Sequence, residues 1–241
     1  MLTSLSSESN ISYRVHKGRL SLEAKRLLEI FQGLHKDSCP QHYNFHMHTT
    51  HSDGQLSPQR LIEQAIEIGL KGFAITDHHS VGGYWAVREW MQTERWRRGS
   101  SLKMPRLWTG VEITAQLLTI EVHILGYGFD PEHTSLRPYL QGRSVKGAAF
   151  QAETIVEAIH EAGGLVVLAH PARYRLPPDV LIREMTRYGL DGVEAYYAYD
   201  NPSPWRSSPA QTAKVLDLAQ KYQLLSTCGT DTHGLNLRQR I

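Results

Sequence analysis

Thiols are scarce in this chain. Cys39 and Cys228 are its only cysteines and form no C-x-x-C motif, which argues against a disulfide framework and fits a reducing compartment. Charge of one sign is scarce too. Lys and Arg total 26 against 24 Asp and Glu, a formal charge of +2, too small for the overall field to attract nucleic acid. No apolar run nears the ~20 residues of a membrane span. The opening "MLTSLSSESN" lacks the basic start and apolar stretch of a signal peptide. A cytoplasmic protein with no membrane contact is expected. Internal repeats and low-complexity linkers are missing as well, so a single main domain is expected. Apolar residues at 41% against 21% charged allow a sizeable core and exclude disorder as the general state.

What is present is an alternation of short apolar runs with helical periods. The runs are 43–46, 72–76, 107–114, 120–127, 164–170, 191–197 and 224–230. Helices are predicted over 21–37, 57–69, 82–98, 147–162, 178–188 and 208–222. Ser57 and Pro58 supply the N-cap and first-turn proline of the second, and Leu56 can staple onto Leu61. Strands alternating with helices predict a parallel sheet, and seven runs suit a barrel or a large open sheet. Residues 1–42 read as an N-terminal extension with one helix, and 43–241 as the main domain.

Metal-competent side chains fall where these runs end. "NFHMHTTHSDG" carries His46 and His48, which share one face of an extended strand by their i, i+2 spacing, and then Asp53. "ITDHHS" carries His78, "GVEIT" Glu112, "EVHILGY" His123, "VVLAHP" His170, and "GTDTHG" Asp231 and His233. In parallel α/β folds the carboxyl ends of strands build the active site. Six imidazoles and three carboxylates without a thiolate suit Zn, Mn or Fe. Nine donors exceed the needs of one ion, so two or three divalent ions are expected. His16, His35, His42, His133 and His160 lie away from these ends. His51 and His79 each neighbour a ligand, with His51 the weaker metal candidate, and Asp77 reads as a carboxylate that orients a ligand histidine.

In this order the motifs resemble the polymerase and histidinol phosphatase (PHP) superfamily of metal-dependent phosphoesterases, over about Asn44 to Gly234. The resemblance implies a distorted (βα)7 TIM-like barrel with a trinuclear site. It implies one ion on His46, His48 and Asp231, a second on Asp53, His78 and His233, and a third on His123 and His170, with Glu112 bridging the first and third. Asp53, His78 and His233 are the implied catalytic residues. The sequence departs from the pattern in reading T-D-T-H in the last motif, where Ser often precedes Asp, and in placing only 47 positions from His123 to His170.

The expected chemistry is hydrolysis of a phosphate ester on a small phosphorylated metabolite or nucleotide. A hydroxide bridging the ions attacks while they clamp the phosphoryl oxygens. Arg173 and Arg175 follow His170 and suit phosphate. Tyr196, Tyr197, Tyr199 and Trp205 offer at most one stacking residue, with Tyr197 carried as the candidate, and His79 is a further candidate for holding substrate. Two alternatives remain: an exonuclease acting on short oligonucleotides, and a non-catalytic metal-stabilised binding module. The basic stretch "ERWRRGSSLKMPR" reads first as the solvated end of a helix, and second as a nucleic-acid patch.

Overall fold

The computed structural model describes Tyr13, residues 20–99 and residues 103–241, apart from the side chain of residue 98. Much of the expected N-terminal extension, 1–12 and 14–19, lies outside the described residues, as do 100–102 of the basic stretch.

The predicted helices form where local chemistry starts and stops them. Helix α1 (Leu22–Gln32) begins at Ser21, whose side chain accepts the Ala24 N–H. Helix α2 (Pro58–Ile68) is capped by Ser57, carries Pro58 in its first turn and ends at Gly69 with φ 81°. Helices α3 (Gly82–Arg98), α4 (Ala152–Glu161), α5 (Pro178–Tyr188) and α6 (Pro209–Tyr222) complete the set. The pattern read over 147–162 resolves into a 3-10 turn, Gly147–Phe150, followed by α4.

The strands form two sheets. Strands β1 (Tyr43–Asn44), β2 (Gly72–Ala74) and β3 (Arg106–Trp108) make a parallel sheet in that order. Strands β4 (Gly110–Leu117), β5 (Ile120–Tyr127), β6 (Leu165–Leu168), β7 (Gly192–Tyr196) and β8 (Leu225–Cys228) make the second. This is the expected α/β fold, with two corrections. The run read over 107–114 is two strands, and β4 and β5 form an antiparallel hairpin rather than successive parallel strands. Leu118, at φ 55°, turns the chain between them too tightly for any crossover helix. Ladder bonding does not close into a barrel among the described residues. The sheets meet instead at isolated parallel bridges, Met47 with Thr232 and His78 with Glu112.

The main hydrophobic core includes α1. Ala24, Leu27 and Phe31 are buried in the same cluster as β4 to β8. The Phe31 ring meets Phe45 edge-on at 4.9 Å and Tyr127 at 5.6 Å. Gly128, at φ 66°, lets the helix start this close, because a Cβ there would lie 2.8 Å from the Ala24 nitrogen. A smaller core under α2 and α3 holds Met47, Leu61, Ile62 and Phe73. Removing a buried Phe leaves a cavity as well as losing transfer energy, so Phe31→Ala is expected to destabilise the protein by about 3–5 kcal/mol. Leu22→Ala, at a position 72% exposed, should change stability by no more than about 0.5 kcal/mol. Urea denaturation of both variants checks the contrast.

Candidate metal centre

After β1 the chain stays extended beside the segment that follows β8. Phe45 N–H donates to the Cys228 carbonyl, Asp231 N–H to the His46 carbonyl and His48 N–H to the Thr232 carbonyl. Alternation then sorts the side chains. Phe45 enters the main core and Met47 the smaller one, while His46 and His48 turn to the other face, both fully buried. Gly229 makes this possible, since a Cβ there would overlap the backbone of His46. Three residues at these strand ends hold positive φ without being glycine: His79 (53°), His170 (29°) and Asp231 (53°). Such conformations are costly and concentrate where side chains must be aimed.

Glu112 lies at the middle. One carboxylate oxygen is 3.0 Å from His46 Nε2, 3.1 Å from His48 Nε2 and 3.5 Å from His78 Nε2. The other is 2.7 Å from His123 Nδ1 and 3.5 Å from His170 Nε2. Asp231 divides its oxygens similarly. Oδ1 lies 3.3 Å from His46 Nε2 and 3.2 Å from His48 Nε2. Oδ2 accepts the Tyr197 hydroxyl at 2.7 Å and Arg240 Nε at 2.8 Å. Asp53 closes the outer side, with Oδ2 at 3.2 Å from His233 Nε2 and 3.7 Å from His78 Nε2.

All nine sequence-predicted donors therefore meet. Three groups offer ligand atoms within 4.8 Å of one another and could each hold a metal ion: His46, His48, Glu112 and Asp231; His48, Asp53, His78 and His233; and His78, Glu112 and His123. His48 and His78 are shared between groups, which the expected assignment did not have. His170 joins through Glu112 alone.

The donors fit a metal on their own chemistry. Both ring nitrogens of buried His48 lack a hydrogen bond, although Nε2 is within 3.2 Å of two carboxylates. The distances are short but the alignment is not that of a hydrogen bond. A buried polar atom left in this state is costly unless something else satisfies it.

Burial alone would lower the pKa of His46, but Glu194, Glu112 and Asp231 outweigh it and lift the ring well above its usual range. Burial is likewise overcome at His48, where Asp231 and Glu112 raise the pKa to about 9. At His78 burial wins, helped by the neighbouring imidazoles, and the pKa falls to about 4. Burial would raise Glu112 and Asp231, yet the surrounding rings hold both well below the usual carboxylate range.

The structure also shows what sequence reasoning missed. Buried Glu194, on β7, contacts His46 Nδ1 at 2.9 Å and accepts the His170 backbone N–H at 3.0 Å. It plays the orienting role assigned to Asp77. Asp77 instead accepts Thr49 N–H at 2.6 Å and the Ser52 hydroxyl at 2.8 Å, fastening the loop before Asp53. The signal was legible: "GVEAYY" places a carboxylate inside an apolar strand, as "GVEIT" does.

A cleft of about 300 Å³ opens onto the cluster, walled by Arg173, Tyr174 and Arg240. Of the four residues expected to hold substrate, only Arg173 lines it. His79 points its ring at Thr114, 3.2 Å away. Tyr197 is buried with its hydroxyl spent on Asp231. Arg175 is exposed elsewhere. His51 packs against Gly82 and joins no donor group. Arg240, in the C-terminal "RQRI", had no sequence signal because only the fold brings it back to Asp231.

Two outcomes follow. His48 holds its proton more tightly folded than unfolded, so its contribution in metal-free protein is complete below about pH 6.5 and is lost as pH rises to about 9. His78 has the opposite sign: the unfolded chain takes the proton first, so stability falls as pH drops from about 6.5 to about 4. Melting temperature after chelation should therefore peak near pH 6.5. Separately, Glu194→Ala should weaken metal affinity by about 10–100-fold, measured by competition with a chelating dye.

Comparison with known proteins agrees with this geometry. Residues 44–228 match the PHP domain family. The 5'-3' exoribonuclease Rnm of Salmonella typhimurium is 26% identical, with 79% of this chain and 85% of the relative aligned. Phosphoribosyl 1,2-cyclic phosphate 1,2-diphosphodiesterase of Eggerthella lenta is 25% identical, covering 79% of this chain and 94% of that protein. A solved structure from Bifidobacterium adolescentis, a candidate metal-dependent phosphoesterase, matches with a TM-score of 0.63 at 25% identity, over 81% of this chain and 88% of that one. With its motifs gathered into one cluster at the strand ends, the chain belongs to the PHP domain family and is a metal-dependent phosphoesterase.

Proposed function

We propose that the enzyme hydrolyses a phosphate ester of a small, nucleotide-like substrate at two or three divalent ions of the Zn, Mn or Fe type. The observation that carries this is the single carboxylate of Glu112 within 3.5 Å of five imidazoles, beneath a cleft with two guanidinium groups. His46, His48, Glu112 and Asp231 would hold one ion, Asp53, His78 and His233 a second, and His123, His170 and Glu112 a third. When bound, such ions supply an acidified water and positive charge for the phosphoryl oxygens.

The chain's own groups do the rest. Glu194 fixes the His46 ring, and Tyr174 fixes the His123 backbone by accepting its N–H at 2.8 Å. The low pKa of His78 leaves its ring neutral near pH 7, with a lone pair available. Asp53, 54% exposed at the cleft mouth, is kept ionised, against the effect of burial, by the His233, His48 and His78 rings around it, and orients the attacking water. Arg173 and Arg240 meet the phosphoryl oxygens in place of Arg175, His79 and Tyr197. The two seam bridges support reading the sheets as a distorted (βα)7-type barrel. Two buried free thiols suit a cytoplasmic location. Among the described residues, no helix is long and apolar enough to cross a membrane.

A second reading, removal of nucleotides from short RNA, is favoured by the likeness to an exoribonuclease. Protein loaded with Mn²⁺, Zn²⁺ or Fe²⁺ is expected to hydrolyse p-nitrophenyl phosphate or its bis ester. Asp53→Ala should lower kcat by at least about 10²-fold, and Arg173→Ala should chiefly raise KM. Absence of turnover with every metal, on mono- and diesters and 5'-phosphorylated oligonucleotides alike, would sink the proposal.

A further inference from the structure

A larger cleft, about 760 Å³, shares no lining residue with the one over the imidazole cluster. The fold creates it. Strand β3 passes to β4 through Thr109 alone, so no crossover helix covers the outside of β3 between α3 and α1. Helix α3 turns Tyr84, Arg88, Met91, Gln92 and Arg95 toward the gap, the spacing of one helix face. Arg106 and Trp108 come from β3, Lys71 from the turn before β2, and Glu23 from α1.

The cleft has a definite electrostatic sign. Glu23 is the single carboxylate among its lining residues, and Arg106 Nη2 donates to both of its oxygens at 2.9 Å. Lys71, Arg88 and Arg95 have no carboxylate partner among the described residues. Arg88 is held over the Trp85 ring at 4.9 Å, which orders its guanidinium. The apolar part is aromatic and thioether: Tyr84, Trp108, Met91 and Met104. Trp108, although it lines the cleft, is 2% exposed, and Arg106 lies over its ring at 5.4 Å. One residue beyond Arg95, Trp96 is 88% exposed.

We propose that this cleft is a nucleotide-binding site separate from the metal centre. Lys71, Arg88 and Arg95 take the phosphates, and Tyr84, Met91 and Met104 take the base. Its volume falls within the 300–1,000 Å³ typical of small-molecule sites. Cations interleaved with aromatic faces are what a nucleoside phosphate needs, whether free or as one unit of a single strand. Arg95, in the basic stretch that read first as the solvated end of a helix, thus gains a role. Binding at this cleft is independent of which ester the metal centre hydrolyses.

Titration calorimetry on the full chain at low salt, with chelator present, tests the site. The probes are ATP, inorganic phosphate and a single-stranded hexathymidylate. ATP should bind wild type and Arg173→Ala alike, and more tightly than inorganic phosphate. The double variant Arg88→Glu, Arg95→Glu should bind ATP about tenfold or more weakly, with melting temperature and metal-loaded p-nitrophenyl phosphate turnover unchanged. If that double variant folds poorly, Lys71→Glu alone should weaken ATP by several fold. Hexathymidylate that competes with ATP and is weakened by Trp96→Ala assigns the site to a strand. ATP binding indifferent to both assigns it to a free nucleotide. ATP affinity that survives the charge reversals, is lost only in Arg173→Ala, or merely equals that of inorganic phosphate overturns the proposal.

Discussion

The structure depends on a carboxylate that burial should have made untenable. Glu112 is 1% exposed, and an isolated buried charge costs far more than a folded domain has to spare. Five imidazoles converge on it because β1 delivers two rings and β2, β5 and β6 one each, from a strand or its end. The cost then becomes mutual compensation. The rings hold Glu112 and Asp231 ionised, and the carboxylates hold His46 and His48 protonated or ready to exchange that proton for a metal. Replacing one member leaves its partners buried and unbalanced, so the donors act as a unit.

The surrounding fold keeps that unit rigid. Glu194 grips two strand ends at once, the ring of His46 and the backbone of His170. Asn44 clasps Thr230 in both directions, donating to its hydroxyl and accepting its N–H, which holds the β8 exit where Asp231 must turn. Asp77 ties down the loop leading to Asp53. These are hydrogen bonds beneath the donors, and they set which way each donor faces.

Two departures from regular strand–helix alternation shape the molecule's surfaces. The antiparallel β4–β5 hairpin brings Glu112 and His123, eleven positions apart in sequence, onto one sheet face. The direct β3–β4 connection leaves the outer side of β3 without a helix, and a basic, aromatic-lined cleft takes its place. A fully regular repeat would have had neither feature.

The sequence by itself determined the donor set, the α/β class and most helix boundaries. Each rests on local order: His at i and i+2 share a strand face, Ser57–Pro58 starts a helix, and Gly69 ends one. Its apolar periods show where strands lie, but not their direction, and so not the hairpin or the two-sheet pairing. Tertiary structure alone decided which donors share a group, that Glu194 rather than Asp77 orients a ring, that Tyr197 turns inward to Asp231, and that Arg240 returns to the cleft. The reason is range. Propensity, capping and alternation act over a few residues, whereas a donor's partners are set by side chains from segments up to 185 positions away, as His46 and Asp231 are.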